Sequence, residues 1–176
     1  MDNFILRLAR PSFRAKPVSE NCSHFCCERT ILSIWDTSRG VTAVYSETVT
    51  DNDFATVLYY PQTGIIHHAW KQYCHGKDFQ DIMMASTRHL QKEGGTKWLS
   101  DDTNYAIVTE EDALWGRKIW FYEAIRAGWK HWAIILPTQQ IGKVSISDLV
   151  TEYRAAGINS MIFDNIPEAM IWLEAQ

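Results

Sequence analysis

The chain has 176 residues, the length of one ordinary globular domain, and a domain of this size can bury enough apolar surface to fold without disulfides or a structural metal. Its formal charge of −4 and its pI near 5.8 disfavour a general nucleic-acid-binding protein, which usually carries a basic face. The sequence contains no stretch of about 18 apolar residues, so we expect no membrane-spanning helix.

Residues 1–50 show no regular periodicity, and prolines and a polar cluster at 19–27 interrupt them. The first 17 residues are basic with apolar residues in between, a pattern that resembles a weak organellar presequence or a membrane-touching arm. A frayed N-terminus is the simpler interpretation, because chain ends are commonly disordered. We therefore expect an irregular N-terminal arm over residues 1–50, in which 30–50 can form a β-hairpin.

Four cysteines stand at positions 22, 26, 27 and 74. Their uneven spacing does not form a disulfide framework and no secretory segment precedes them, so we expect reduced thiols and a cytoplasmic protein. Cysteines and histidines this close together can bind zinc, but the adjacent pair Cys26-Cys27 matches no known ligand spacing. We expect no metal site and no other cofactor.

A regular alternation of strands and helices begins near residue 54. Strands are predicted at 55–60, 65–72, 97–100, 131–136 and 159–163, and helices are predicted from Asp78 to Gly94, over 110–127, from Ser145 or Ser147 to 156, and from 165 onward. The first two strands form a hairpin, and each later strand is followed by a helix, which requires parallel neighbours with helical crossovers. The sequence therefore predicts an α/β domain over 54–176, with a mixed, mostly parallel sheet, an N-terminal β-hairpin and four flanking helices.

Several segments of this domain resemble one family. They are the predicted hairpin, Trp70, the stretch from Trp98 to Asp102, Glu111-Asp112 with Trp115, and the closing segment with Glu168-Ala169 and Trp172-Leu173. Together they resemble the SpoIIAA-like (STAS-related) proteins, especially the small stand-alone bacterial ones. The resemblance covers residues 54–176 and leaves the first fifty aside.

The resemblance implies a binding or regulatory module rather than an enzyme. Anti-sigma-factor antagonists of this kind carry a phosphorylatable serine after a central strand, and related domains bind lipids or nucleotides. The matching stretch here, residues 100–104, lacks the Asp-Ser-Ser/Thr-Gly pattern of those antagonists. Ser100 and Thr103 are the candidate phosphorylation sites that remain.

Acidic residues follow two of the predicted strands. Asp101 and Asp102 come at the end of one strand and Asp164 at the end of another, so all three are expected at the carboxyl edge of the sheet, where open α/β sheets bind ligands. Gathered carboxylates at this edge could hold a divalent cation or act as a base. The alternative is that they are turn and cap residues, since Asp and Asn often hydrogen-bond their own backbone in turns.

Aromatic residues concentrate in and around the predicted helix at 110–127. Trp115, Ile119 and Tyr122 fall on one stripe of this helix, whereas Trp120 and Phe121 point elsewhere. Such a helix either packs between other elements or exposes a patch, which would form a ligand groove or a dimer interface.

Two histidines, His67 and His68, are neighbours on a predicted strand. Their side chains face opposite ways, and we expect one of them to be exposed.

No catalytic motif accompanies these features. The sequence has no Gly-x-Ser-x-Gly elbow, no glycine-rich phosphate loop and no cysteine in an activating context, so no catalytic residue is assigned.

The leading hypothesis is a non-enzymatic binding or regulatory module of SpoIIAA-like type. Its candidate ligand-binding residues are Ser100, Asp101, Asp102, Trp115 and Asp164. Its partner is a protein, a second copy of the chain or a small apolar ligand. The alternative is a metal-dependent enzyme that uses the strand-end aspartates.

Overall fold

A computed structural model describes residues 29–31, 45–105 and 107–176. Its strands are β1 (Arg29–Ile31), β2 (Tyr45–Asp51), β3 (Ala55–Tyr60), β4 (Ile65–Trp70), β5 (Lys97–Asp101), β6 (His131–Ile135) and β7 (Asn159–Phe163). Its helices are α1 (Gly76–Glu93), α2 (Glu110–Trp115), a π-helical turn (Gly116–Trp120), α3 (Phe121–Arg126), α4 (Gln140–Ala155) and α5 (Ile166–Glu174). In this part of the chain, no helix combines the length and the apolar composition needed to cross a bilayer.

The strands form one sheet whose spatial order is the chain order, β1 to β7. The first four strands pair antiparallel as a meander, and β4 to β7 pair parallel through helical crossovers. The predicted fold class is confirmed: the protein is an α/β domain with a mixed sheet, an antiparallel hairpin before the parallel strands, and four helical segments.

The N-terminal arm contributes to the same sheet. Arg29–Ile31 pairs antiparallel with β2, and β2 pairs with β3, so the sheet continues beyond the predicted limit at residue 54. The expected hairpin over 30–50 thus has strand pairing at its two ends. Its turn at 36–40 and the whole of 1–28, with three of the four cysteines, lie outside the described residues.

Alternation along the strands directs side chains into two separate cores. On one face, under α1, α2–α3 and α4, the core contains Ile66, Trp70, Leu90, Trp98, Trp120 and Val150. On the other face, α5 covers Ile65, Leu99, Ala133, Ala169 and Leu173. Strands that are apolar on both faces are typical of a sheet with helices on both sides. The functional features described below lie on the first face.

The helix predicted over 110–127 is present, but a π-helical turn interrupts it. The N–H of Phe121 bonds to the carbonyl of Gly116, five residues back, so the turn holds one residue more than an α-turn. The extra residue rotates the following side chains, and Trp120 enters the core while Ile119 and Tyr122 remain exposed. The expected stripe of Trp115, Ile119 and Tyr122 is therefore not the buried face.

Two helix starts also differ from prediction. Helix α1 begins at Gly76, before the predicted cap Asp78, and ends as predicted at Gly94, whose φ of 68° suits a glycine. Helix α4 begins at Gln140 rather than at Ser145 or Ser147. Its N-cap residue, Gln139, makes no side-chain capping bond, so no capping signal in the sequence marks this start.

Candidate ligand-binding cavity

A cavity of about 60 Å³ lies between the sheet and the helices, at the carboxyl ends of β4 and β5 and beside Trp132 of β6. Its walls are largely aromatic: Trp70, Phe79, Tyr105, Trp115, Trp120, Trp132 and Tyr153. The π-helical turn closes one side through Gly116, and the half-buried residues Val108, Trp115 and Leu149 form the outer wall. Ligands of open α/β sheets bind at this edge of the strands, and π-turns occur frequently at functional sites.

His68 lies at the floor of the cavity with both ring nitrogens engaged. The indole N–H of Trp98 donates to Nδ1 of His68 at 2.8 Å. Because an indole N–H can only donate, Nδ1 must offer its lone pair, and the proton of the neutral ring lies on Nε2. This Nε2–H faces Oδ1 of Asp102 at 3.3 Å.

Asp102 is a buried carboxylate, only 4% exposed, that follows β5 into the cavity wall. Its Oδ1 accepts hydrogen bonds from the indole N–H of Trp70 at 3.1 Å and from His68. Its Oδ2 receives no hydrogen bond from the residues that the structure describes. The carboxylate therefore has one oxygen held by neutral donors and one oxygen left for a ligand.

Asp112 is a second buried carboxylate on the cavity wall, 1% exposed. Its Oδ2 accepts from the backbone N–H of Gly76 at 2.8 Å and from the hydroxyl of Thr109 at 2.8 Å, and its Oδ1 accepts from Gln80 at 3.2 Å. Thr109 in turn accepts from the N–H of Asp112 and caps α2. This carboxylate therefore fixes the start of α2 against the start of α1.

Tyr153 of α4, a buried residue, also belongs to the wall of this cavity. The residue is 4% exposed, and its hydroxyl forms no hydrogen bond to any described residue. Burial raises the pKa of Tyr153, so the phenol keeps its proton. A Cβ atom added to Gly116 would stand 3.6 Å from this hydroxyl, which places the π-helical turn directly beside it.

The structure brings three of the five predicted ligand-binding residues to this cavity: Ser100, Asp102 and Trp115. Asp101 stands outside it, and its carboxylate accepts from the N–H and the hydroxyl of Thr103 at 3.1 and 2.6 Å. Asp164 is exposed and borders a separate pocket between β6 and β7.

The strand-end aspartates therefore do not form one cluster. Within the described ranges, no group of three or more His, Cys, Asp or Glu side chains is arranged to hold a metal ion. The alternation of side chains along β5 separates the neighbours Asp101 and Asp102. The turn interpretation accounts for Asp101.

The two candidate phosphorylation sites differ in access. Ser100 is 3% exposed, and its hydroxyl oxygen accepts from the indole N–H of Trp132 at 2.8 Å. A kinase would have to open the core to reach it. Thr103 is half-buried in the loop after β5, with its hydroxyl on Asp101.

Sequence reasoning missed His68, Trp70, Tyr105, Asp112 and Tyr153 as residues of the cavity. A signal for two of them is present in the sequence, because His68 and Trp70 follow Ile66 at every second position of β4 and therefore share its face of the sheet. The prediction that His67 or His68 would be exposed is wrong: they are 8% and 3% exposed. Both are buried because the sheet is covered on both faces at β4.

In comparisons with known proteins, no family model, no curated protein and no solved structure matches the chain.

Proposed function

We propose that the protein is a non-enzymatic binding or regulatory module of SpoIIAA-like kind that takes a small ligand into the cavity beside Gly116. One observation carries the proposal: two polar groups of buried residues, Oδ2 of Asp102 and the hydroxyl of Tyr153, belong to the cavity wall and form no hydrogen bond to any residue that the structure describes. Ligand sites are typically apolar pockets with a few polar groups that fix the orientation of the ligand, and these two groups are available for that role in a largely aromatic wall.

Binding is favoured over catalysis by the state of His68. A general base needs a free lone pair on one ring nitrogen. In His68 the Nδ1 lone pair accepts from Trp98, and Nε2 carries the proton that faces Asp102. His68 therefore cannot act as the base for Ser100, whose hydroxyl lies across the strand pair.

A metal-dependent reaction has less support. Asp101 and Asp164 stand away from Asp102, and each makes its own local arrangement. A single carboxylate with indole and imidazole donors is a poor site for Mg²⁺ or Ca²⁺, which prefer several oxygen ligands.

We also propose that the module contacts a protein partner or a second copy of the chain. The outer surface of the helical segment from α2 to α3 supports this contact. Four apolar side chains are 40 to 60% exposed there: Leu114, Ile119, Tyr122 and Ile125. Because this apolar face belongs to the helix that closes the cavity, binding of a partner or a second copy to it would depend on whether the cavity holds a ligand. Light scattering at high protein concentration tests self-association, and a strict monomer removes the homodimer.

Gly116 provides the test of ligand binding. Gly116→Leu fills the cavity, and Ala155→Leu adds the same side chain at an exposed position of α4 as the control. A fragment library is screened by NMR for shifts of the indole N–H signals. We expect hits on the wild type and on Ala155→Leu that Gly116→Leu loses. Equal hits on all three proteins, or none on any, would contradict the proposal.

A further inference from the structure

The residues that line the cavity have an unbalanced charge. Among the residues that the structure describes, they include two buried carboxylates, Asp102 and Asp112, and neither a lysine nor an arginine. An ionised carboxylate away from water is strongly unfavourable unless a positive group or several donors compensate for it. Asp112 has three protein donors, a backbone N–H, an amide and a hydroxyl. Asp102 has only two, and both bind the same oxygen.

His68 does not supply the missing positive charge. A protonated imidazole donates from both nitrogens, whereas Nδ1 of His68 accepts from the indole of Trp98. The ring facing Asp102 is therefore neutral, as is the indole of Trp70. Both side chains that hydrogen-bond to the Asp102 carboxylate are neutral donors, and its Oδ2 receives no hydrogen bond from the described part of the chain.

The remaining walls suit a cation. Aromatic rings attract positive charge to their faces, and indoles do so most strongly. Three indole side chains, those of Trp70, Trp120 and Trp132, border the cavity, with Trp115 on its outer side. The hydroxyl oxygen of Tyr153 is a second acceptor for an N–H of the same ligand. Among the described lining side chains there is no lysine or arginine to attract an anion.

The volume limits the part of a ligand that the cavity can enclose to a small group. A void of 60 Å³ holds about four water-sized groups when each needs roughly 15 Å³. A nucleotide or a lipid headgroup with its phosphate is much larger and carries the wrong charge for Asp102.

We infer that the ligand of this cavity is a small organic cation, a primary or methylated ammonium held by Oδ2 of Asp102 between aromatic walls. The inference rests on the proposed function, since it names the ligand class for the same cavity.

Four probes of matched size test it: propylammonium, trimethylammonium, 1-propanol and acetate. Each is titrated into the wild-type protein while the indole N–H signals are followed by NMR. We expect saturable shifts with the two cations, at least about tenfold weaker binding of 1-propanol, and none of acetate, because a charged hydrogen bond to Asp102 is lost. This ranking requires no variant.

Two substitutions then assign the contact. Asp102→Asn keeps the shape and removes the charge, and should weaken cation binding by about tenfold or more. Asp101→Asn makes the same chemical change at the neighbouring position outside the cavity, and should bind as the wild type does. If Asp102→Asn does not fold, cation binding is measured for Tyr153→Phe, which removes the second acceptor. Tyr122→Phe makes the same change at a ring that is 60% exposed and serves as the control.

Failure of the ligand class can be told from failure of the site. Binding of 1-propanol as tight as that of the cations, or cation binding unchanged in Asp102→Asn, overturns the cation and leaves the cavity as a site for neutral molecules. Absence of any shift with all four probes also overturns the cation. The fragment screen on Gly116→Leu then decides the proposed function by itself, because it makes no use of charge.

Discussion

Trp98 and His68 are joined by a hydrogen bond of 2.8 Å, in which the indole N–H donates to Nδ1 of the imidazole. The two residues stand on neighbouring parallel strands, where Ile66 pairs with Trp98 and His68 with Ser100. The bond is completely buried, since Trp98 is 0% and His68 3% exposed. It fixes the tautomer of the imidazole, and so it makes Nε2–H the group that donates to Asp102.

The first prediction concerns this tautomer. Nitrogen NMR of the histidine rings should show His68 as a neutral ring protonated at Nε2. Trp98→Phe should change the His68 signals and destabilise the protein by about 2 kcal/mol, because a buried acceptor loses its donor and a void forms.

Trp129→Phe is the matched control for this experiment. Trp129 is equally buried, and its indole donates to the backbone carbonyl of His131 at 3.1 Å. It should lose a similar stability in urea denaturation and leave the His68 signals in place. His68 signals that are identical in Trp98→Phe and the wild type would contradict the assignment.

The second prediction concerns acid sensitivity at His67, on the α5 side of the sheet. Both of its ring nitrogens are buried without a hydrogen-bond partner among the described residues, and burial lowers the pKa of His67 from 6.5 to about 4. The unfolded chain therefore binds this proton at a higher pH than the folded protein. Its contribution to stability is complete above pH 6.5, falls by up to about 3 kcal/mol as the pH drops towards 4, and changes no further below that.

His67→Leu tests the assignment, since leucine cannot titrate. Urea denaturation between pH 7 and 4 should show a shallower loss of stability than in the wild type. At neutral pH the variant should be as stable or about 1 kcal/mol more stable, because two unpaired polar atoms are removed. His75→Gln, at an exposed position, is the control, and a wild-type slope in His67→Leu would exclude His67 as the source.

The third prediction compares two adjacent glycines after α1. Gly94 has a φ of 68°, and a Cβ there would meet nothing within 4 Å, so Gly94→Ala should cost about 1 kcal/mol through backbone conformation alone. A Cβ on Gly95 would lie 2.7 Å from Cδ1 of Leu90 and 2.8 Å from the carbonyl oxygen of Gly64. Since the carbonyl belongs to the backbone and cannot move freely, Gly95→Ala should cost about 3 kcal/mol.

Chemical denaturation of the two variants, with Gly94→Asn added, measures this difference. Asparagine tolerates the left-handed conformation, so Gly94→Asn should be the mildest of the three changes. A larger loss at Gly94 than at Gly95 would mean that conformation, not space, is limiting at this helix end.

The fourth prediction concerns Cys74, which is 1% exposed. Burial, reinforced by Asp78 and Asp112, raises the pKa of its thiol to about 11, so almost no thiolate exists at neutral pH. In alkylation with iodoacetamide followed by peptide mass spectrometry, Cys74 should remain unmodified in the folded protein and react fully in urea. Modification of folded Cys74 as fast as a free thiol would contradict its buried position.

The fold could be predicted from local patterns, because each strand after the hairpin is followed by a helix with its own stop signal. Gly94 is an example, since it ends α1 at the predicted residue. The π-helical turn could not be predicted in this way. It depends on the packing of Trp120 and Tyr153 below Gly116, and no local propensity marks it.

The candidate site was predicted only in part, for a related reason. Ser100, Asp102 and Trp115 were named because strand ends and aromatic helices are visible in the sequence. The partners that give Asp102 its character, His68 and Trp70, are more than thirty residues away in the chain. Their contact depends on the register of β4 against β5, which no local pattern specifies.

The hydrogen bonds of Asp112 to the starts of two helices have a consequence for local unfolding of the protein. One carboxylate holds Gly76 and Gln80 of α1 and Thr109 before α2, across 36 residues of sequence for the longest of these bonds. Neither helix start can fray without depriving the other of its hydrogen bonds. The first turns of both helices therefore behave as a single cooperative unit in hydrogen exchange, and the mouth of the cavity lies within that unit.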